Sequence, residues 1–585
     1  MRANAEHPLS FSIVSRATRL ALVCATVIVA GAVVVQLARP EDDTVDVQLL
    51  AFNDFHGALE PASGGTGRIG DTEAGGIEYL AAHVARLKAA HPNTVIVSAG
   101  DNIGATPLLS SLFHDEPTIE ALGLLGLQLS ALGNHDLDEG WWELYRIQKG
   151  GCHPMDGCQD GTPFNGASFP YLAANVILDP RRADPEKVRL AGIQGTEPRP
   201  LLPGWVVRDV GGVRIGFIGI ILQETPRVIV SSAIEGLTFG PEADAANGAA
   251  RALGEQGVRA IVVLMHEGGD PRGEDINGCD GMSSDLLELI GRMSDDIDVV
   301  VSGHSHQAYI CTIDGKLVTS AASAGRLLTD IDLRVRRSDG EIVAKAARNI
   351  IVTRDVDRDP VETSLIARYG PAADAVSRRI VGAITGSLTR VQNAAGESSL
   401  GDVVADALLE AATRTPGAEP DLAIWNPGGI RADLEMKPNR RPTPVTFADV
   451  FAVLPFGNEL IVKSVTGEAL LQVLEQQFGG PDGASDRVRI MQVSKGFTYA
   501  YDASRPFGQR IDRASARLDG ERLAPDRRYR LATSNFLWDS GDGLAALSTG
   551  TDPVLVGVDH DILAEYFARR SPVVPGPQDR IRRIR

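Results

Sequence analysis

Short apolar runs that each end in a cluster of polar residues constrain the fold of this chain more than any other feature. The runs are rich in Val, Ile and Leu, and segments with helical spacing separate them. They cover residues 47–52, 94–98, 128–132, 261–265 and 299–302. Runs of this length bounded by Gly, Asn or Asp are typical of buried strands. We therefore predict a layered α/β or α+β domain over residues 44–353.

The polar clusters at the ends of these runs contain mainly Asp, Asn and His. They read Asn53-Asp54-Phe55-His56, Gly100-Asp101-Asn102, Gly133-Asn134-His135-Asp136, Met265-His266-Glu267 and Gly303-His304-Ser305-His306. Each cluster alone is also explained by a turn, a helix cap or a core histidine. Strand ends of open α/β sheets meet at one edge, where ligands bind. The clusters together hold more ligands than one divalent cation needs, so they predict a two-metal site suited to phosphoryl chemistry.

A second domain follows a more polar segment. Residues 354–379 include Pro360 and Pro371 and predict a connecting helix. Beyond it, a helix over 399–413 and strands over 422–425 and 529–533 predict a second α/β domain over residues 380–585.

Three Gly-rich loops in this second domain carry side chains suited to a nucleotide. They read Trp425-Asn426-Pro427-Gly428-Gly429-Ile430-Arg431, Leu454-Pro455-Phe456-Gly457-Asn458 and Asn535-Phe536-Leu537-Trp538-Asp539-Ser540-Gly541-Asp542-Gly543. An arginine can bind phosphate with two hydrogen bonds, and two phenyl rings can enclose a base. A carboxylate can accept the hydroxyls of a ribose. The alternative is that these residues form ordinary turns and core.

The ordered motifs Asp-x-His, Gly-Asp-Asn, Gly-Asn-His-Asp, His and Gly-His-x-His resemble those of the calcineurin-like metallophosphatases. With the C-terminal loops, the chain resembles the bacterial 5′-nucleotidase family over about residues 46–570, a family that includes UDP-sugar hydrolases and cyclic-nucleotide phosphodiesterases. The resemblance implies an N-terminal four-layer β-sandwich flanked by helices and a C-terminal α/β substrate-specificity domain.

The same resemblance implies roles for individual residues. The ligands of one metal would be Asp54, His56 and His306, and those of the other would be Asn134, His266 and His304. Asp101 would bridge the two ions. His135 would stabilise the transition state without binding metal, and Asp138 would orient it. The substrate would contact Asn426, Arg431, Phe456, Phe536 and Asp542.

One stretch departs from the family pattern. Some members carry a further phosphate-binding arginine just before the helix that starts near Ser399. Residues 395–402 here contain no arginine and include Glu397, while Arg390 is nearby but not aligned. We therefore expect weaker phosphate binding or a different substrate preference.

The N-terminal segment predicts export. Arg2, Arg16 and Arg19 precede an apolar stretch over residues 20–38. A basic segment before an apolar stretch is typical of a signal peptide, and this stretch is also long enough for an uncleaved anchor. Residues 1–43 are thus a signal peptide or an anchor, and the protein is extracellular, at the cell surface or periplasmic. We expect membrane contact only through this segment.

Four cysteines follow the leader, and an even number in an exported chain predicts two disulfides. Three pairings are possible. We favour Cys152–Cys158 with Cys279–Cys311, because the first pair closes a short loop containing Gly and Pro. A zinc cluster or free thiols are the alternatives.

The net charge of −19 makes a nucleic-acid duplex a poor partner. We expect a nucleotide or another small phosphate ester instead. The predicted function is release of phosphate from nucleoside 5′-phosphates by metal-activated hydroxide, with two ions such as Zn or Mn. The alternatives are a 2′,3′-cyclic-nucleotide phosphodiesterase, a UDP-sugar hydrolase and a non-catalytic surface binding protein.

Overall fold

The computed structural model describes residues 43–62, 64–479 and 488–585. The predicted signal peptide or anchor therefore lies outside the described residues, apart from Asp43. Among the residues that are described, no helix combines the length and apolar character needed to cross a membrane.

Two six-stranded sheets form the first half of the described chain. Their strands are β1 (Thr44–Phe52), β2 (Thr94–Ser98), β3 (Leu129–Ala131), β4 (Tyr171–Leu172), β5 (Trp205–Val210), β6 (Val213–Ile221), β7 (Ala260–His266), β8 (Val299–Ser302), β9 (Ala308–Ile313), β10 (Lys316–Ala321), β11 (Leu327–Arg336) and β12 (Ile342–Ile351). The first sheet has the order β12-β11-β1-β2-β3-β4, and the second has the order β9-β10-β8-β7-β6-β5. All five predicted runs form strands.

The central strands of both sheets are parallel. Strands β1 to β4 pair in parallel in the first sheet, and β6, β7, β8 and β10 do so in the second. The carboxyl ends of neighbouring parallel strands lie at one edge of their sheet, which brings the polar clusters together.

The two sheets pack face to face over a fully buried apolar layer. Leu49 and Val97 from the first sheet meet Phe217 and Leu264 from the second. The alternate side chains of each sheet pack against helices on the outer faces. The result is a four-layer helix–sheet–sheet–helix arrangement, which confirms the predicted fold class.

The helices of this half are α1 (Ile77–Lys88), α2 (Leu108–Ser111), α3 (Glu116–Leu125), α4 (Trp141–Lys149), α5 (Pro185–Leu190), α6 (Glu242–Glu255) and α7 (Ser284–Gly291). The next helix, α8 (Pro360–Ser377), occupies the segment predicted to connect two domains. The carboxylate of Asp359 caps it by accepting the N–H groups of Val361 and Glu362, and proline suits its first position. It packs on α1 and α3.

The second half contains a five-stranded sheet with helices against it. Its strands are β13 (Leu422–Trp425), β14 (Glu459–Thr466), β15 (Gln492–Val493), β16 (Arg528–Ser534) and β17 (Thr551–Val558), in the order β15-β13-β16-β14-β17. Its helices are α9 (Ser399–Arg414), α10 (Phe447–Val453), α11 (Gly467–Gln476), α12 (Asn535–Trp538) and α13 (Asp559–Arg570). The two halves are in contact, because Leu108 of α2 packs into the apolar core around α9 and α13.

Both disulfides form with the predicted pairing. Cys152 pairs with Cys158, with their Cα atoms 4.6 Å apart. Cys279 pairs with Cys311 across 5.3 Å and ties the loop before α7 to strand β9.

Candidate active site

The side chains that follow β1 and β8 form the first of two candidate metal clusters. Asp54, His56 and His306 bring three ligand atoms together. The Nε2 atom of His306 lies 3.2 Å from Oδ1 of Asp54 and 3.1 Å from Nε2 of His56. Two imidazole nitrogens that face each other this closely suit a cation bound between them.

The second cluster combines residues from both sheets. It contains Asp101, His266 and His304, with Asn134 beside them. The Oδ1 atom of Asn134 lies 2.9 Å from Nδ1 of His304 and 3.1 Å from Nε2 of His266. Its buried amide nitrogen has no hydrogen-bond partner among the described residues, as expected if the oxygen is held for a ligand role.

Asp101 lies between the two clusters. Its Oδ2 atom is 3.1 Å from Nε2 of His266 and 3.7 Å from Nε2 of His56. One carboxylate therefore reaches the ligands of both predicted ions, as the bridging role requires. The seven predicted ligands form a donor set of carboxylate, amide and imidazole that fits two divalent transition-metal ions.

Burial and opposite charge shift the pKa values of these groups strongly. Burial by itself raises the pKa of Asp101, but nearby imidazoles, His266 foremost, hold it well below its usual value. Burial lowers the pKa of His266, yet Asp101 outweighs that effect and raises the pKa to about 10. Burial also holds the pKa of His56 well below its usual value. Buried charges of opposite sign thus stabilise each other within the site.

The backbone at the ligands is strained. Five of them have left-handed φ angles: Asp54 (49°), His56 (46°), Asp101 (51°), His304 (67°) and His306 (57°). This conformation costs residues other than glycine on the order of 1 kcal/mol each. Such strain is concentrated at functional sites, where the surrounding packing maintains it.

Glycines in the motifs allow the strand ends to approach closely. A Cβ atom on Gly133 would lie 2.2 Å from the backbone nitrogen and from Oδ1 of Asp101. Gly100 has a φ of 93°, and a Cβ atom there would lie 2.7 Å from the nitrogen of Gly133. Neither position tolerates a side chain, because any side chain would push the two loops apart.

Asp136 holds these two loops together, and its role was missed in the sequence. Its buried carboxylate accepts four backbone N–H groups, from Gly133 (2.8 Å), Asp101 (3.0 Å), Asn102 (3.1 Å) and Ile103 (3.2 Å). It thereby fixes the backbone of the bridging carboxylate and of the loop carrying Asn134. The only signal in the sequence was its place at the end of the Gly-Asn-His-Asp motif.

His135 differs from its neighbours because it belongs to neither cluster. Its Nδ1 atom lies 3.0 Å from Oδ2 of Asp138, and its backbone N–H donates to Oδ1 of Asp101. Burial lowers its pKa, but Asp138 and Asp101 outweigh burial and raise it. Its ring lies 5.4 Å from the ring of Phe456 in the second half. An imidazole held in this way can meet a substrate bound between the halves.

A cavity of about 1250 Å³ joins the metal clusters to the loops of the second half. All five predicted substrate residues line it: Asn426, Arg431, Phe456, Phe536 and Asp542. Asp101, Asn134, His135, Asp138, His304 and His306 line the same cavity. The structure thus brings together residues that are several hundred positions apart in the chain.

Contacts within the cavity arrange the predicted substrate residues. Half-buried Arg431 places Nη2 3.3 Å from Nε2 of His56, and its guanidinium lies 5.8 Å from the ring centre of Phe456. Asn426 donates its amide N–H to Oδ2 of Asp542 over 2.9 Å. A cation beside the metal ligands suits phosphate, whereas the carboxylate and the rings lie on the loops of the second half.

Arg489 is a second residue that sequence reasoning missed. It lines the cavity, and its Nη1 atom lies 3.3 Å from Oδ1 of Asp542. The residue follows no motif, and only its folded position beside Asp542 reveals it. The guanidinium of Arg489 therefore places a positive charge at the end of the cavity that the second half of the chain forms.

Glu397 does not line the cavity, although its position in the sequence contributed to the expectation of weaker phosphate binding. Its side chain is fully buried and accepts the backbone N–H groups of Arg580 and Ile581. The carboxylate therefore attaches the backbone of residues 580–581 to the start of α9. It places no negative charge where a phosphate would bind. Arg390 is paired with Asp433 at 3.3 Å.

The account of Asp136 generates a prediction. Asp136→Asn keeps the shape of the side chain but replaces an acceptor oxygen with a donor, so some of the four N–H groups lose their partner. We expect metal affinity to fall about 10- to 100-fold although Asp136 is not a ligand. Metal titration monitored by elemental analysis measures this, with Asp332→Asn at an exposed position of the largely buried strand β11 as the control. Unchanged metal affinity would show that the loops hold their positions without Asp136.

Comparison with known proteins identifies the family. Residues 47–308 match the calcineurin-like phosphoesterase family, and residues 380–549 match the 5′-nucleotidase C-terminal domain. The chain is 31% identical over 502 residues to Endonuclease YhcR of Bacillus subtilis (strain 168), covering 84% of this chain but 37% of that protein. It is 29% identical over 558 residues to cell wall protein Lmo0130 of Listeria monocytogenes, covering 91% and 68% respectively.

A solved structure shows the same fold. The 5′-nucleotidase precursor from Thermus thermophilus superposes with a TM-score of 0.74 at 24% identity, covering 92% of this chain and 99% of that one. The family matches cover both halves of the cavity, with the metal clusters in one and the predicted substrate loops in the other. Residues 47–308 therefore belong to the calcineurin-like phosphoesterase family and residues 380–549 to the 5′-nucleotidase C-terminal domain family, and together they make the chain a metal-dependent phosphoesterase.

Proposed function

We propose that this chain is an exported two-metal phosphohydrolase that releases phosphate from nucleoside 5′-phosphates. The observation that carries the proposal is the single cavity shared by the metal clusters and the three C-terminal loops. A phosphate at the clusters and a nucleoside at the loops would fill opposite ends of this cavity. The two disulfides support export, because such bonds persist in oxidising compartments.

The proposal divides the work between two domains. Residues 44–353 would hold the two ions and the phosphate, residues 354–379 would connect the domains, and residues 380–585 would select the nucleoside. Asp54, His56 and His306 would hold one ion, Asn134, His266 and His304 the other, and Asp101 would bridge them. When bound, such ions polarise the phosphoryl group and lower the pKa of a coordinated water.

The protein's own side chains would perform the remaining steps. Arg431 lies against the first cluster and would orient a phosphate oxygen. The ring of His135, held at Nδ1 by Asp138, would present its other nitrogen to the charge that develops on the phosphoryl oxygens. Phe456 and Phe536 would stack on the base, Asp542 would bind the ribose, and Asn426, which donates to Asp542, would contact the base.

The size of the cavity favours a second group of substrates. It extends beyond the predicted nucleoside loops to Glu224, Ile229 and Leu289 in the first half. A UDP-sugar or a 2′,3′-cyclic nucleotide would use the same clusters. The additional volume can accept the sugar of a UDP-sugar, whereas a cyclic nucleotide does not need it. Phosphate release or ester cleavage measured on AMP, UDP-glucose and cyclic nucleotides ranks these candidates.

The role of His135 leads to a prediction about turnover. His135→Asn should retain both ions, because the imidazole belongs to neither cluster. Turnover should fall by about 10²- to 10⁴-fold, the usual effect of removing a positioned acid or charge stabiliser. Steady-state kinetics and elemental analysis on the same sample measure both quantities, with His91→Asn outside the cavity as the control. Loss of an ion from the His135 variant would mean that the residue is a ligand.

The role of Phe536 leads to a prediction about binding. Stacking of a base on an aromatic ring contributes about 1–3 kcal/mol by alanine substitution. Phe536→Ala should therefore raise the KM for AMP roughly 5- to 150-fold. Hydrolysis of methyl phosphate should stay unchanged, because that substrate has no base. Phe507→Ala, at a half-buried position outside the cavity, serves as the control.

The two substrates separate the possible outcomes for Phe536. Equal losses on AMP and methyl phosphate would show that Phe536 supports the fold and does not bind the base. No loss on either substrate would place the nucleoside elsewhere in the cavity.

A further inference from the structure

A third group of imidazoles and carboxylates lies outside the cavity. The Nδ1 atom of His114 is 2.7 Å from Oε2 of Glu139, and its Nε2 atom is 2.9 Å from Oδ2 of Asp156. His153 places Nδ1 3.3 Å from the same Asp156 oxygen. One ligand atom from each of His114, Glu139 and His153 lies within 4.8 Å of the others. These are nitrogen and oxygen donors of the kind that bind zinc.

Three separate segments build this group. His114 lies in the turn between α2 and α3 with a left-handed φ of 49°. Glu139 precedes α4, one residue beyond Asp138. His153 and Asp156 lie in the loop that the Cys152–Cys158 disulfide closes. The disulfide shortens the loop and thereby limits how far the two side chains can move from His114.

This group carries more negative than positive charge. Within the described chain, the ion-pair partners recorded for Glu139 and Asp156 are imidazoles only. Burial lowers the pKa of His114, but Glu139 and its neighbours outweigh burial and raise it to about 9. The two carboxylates therefore hold a proton on His114 at neutral pH, in a place where a divalent cation would neutralise both of them.

We propose that His114, His153 and Glu139 bind a third divalent transition-metal ion, with zinc as the matching class. His114 would bind through Nδ1 while its Nε2–H donates to Asp156. A carboxylate on the far nitrogen of a metal-binding histidine is the usual way in which such a ring is oriented. The ion would tie the disulfide loop to the turn before α3 and to the segment that follows His135.

Formation of the site requires the ligand atoms to move closer together and one imidazole ring to turn. Ligand atoms of a tetrahedral zinc site lie roughly 3.4 Å apart, given bonds of about 2.0–2.1 Å. The rings of His114 and His153 stack with centres 3.7 Å apart and planes 15° apart. Two nearly parallel rings cannot both direct a lone pair at one ion, so one ring must turn about its Cβ–Cγ bond. This torsion has a broad energy minimum.

Metal counting tests the proposal. The full chain is equilibrated with Zn²⁺, desalted and analysed for zinc per chain. We expect three ions in the unmodified protein, two in His114→Ala and three in the control His91→Ala. Glu139→Gln, a conservative change at a more exposed position, should also lower the count to two. Equal zinc content in the unmodified protein and both variants of the group would overturn the proposal and leave His114 as an imidazolium paired with carboxylates.

A further variant separates this site from the two-metal centre. Asp101→Ala removes the predicted bridge but leaves the third group intact, so it should retain the ion that His114→Ala loses. If the two-metal centre does not exist, the unmodified protein would hold one ion and His114→Ala none. That result would contradict the proposed function while supporting the third site. An Asp101→Ala protein without zinc would show that the third group binds none by itself.

Discussion

The buried carboxylate of Asp136 is the contact on which the arrangement of the active site depends. Four backbone N–H groups from the loops after β2 and β3 converge on it. The loop after β2 carries Asp101, and the loop after β3 carries Asn134. Both residues lie at the second metal cluster. A single acceptor thus sets the separation of two ligands from different strands. Because Gly100 and Gly133 have no side chains, the loops can lie close enough to share it.

The strained ligand loops illustrate how stability and function are balanced here. Five ligand residues keep left-handed backbone angles that a free loop would avoid. The apolar layer between the sheets, with Leu49 and Leu264 fully buried, provides the rigidity that maintains them. The fold therefore holds the carboxylates and imidazoles in fixed positions, which lowers the ordering cost of binding metal.

The sequence was most informative where residue types that bind metal directly follow a predicted strand. Asp54, Asp101 and His266 could be placed in one site because parallel strands deliver their carboxyl ends to one edge. The arrangement of the second half followed from resemblance, and its Gly-rich loops alone could not distinguish a pocket from a turn. Arg489 and Asp136 could not be assigned, because their roles come from folded contacts with Asp542 and with backbone amides. Backbone acceptors leave no residue-type pattern in a sequence.

The central claim is that the metal clusters and the C-terminal loops act together on nucleoside 5′-phosphates. It is tested most directly by the release of inorganic phosphate from AMP. The purified chain is assayed as prepared, after removal of metal with a chelator, and after Mn²⁺ or Zn²⁺ is restored. The account predicts phosphate release that disappears with the metal and returns with it. Undiminished release from metal-free protein, or no release from AMP by fully metallated protein, would contradict it.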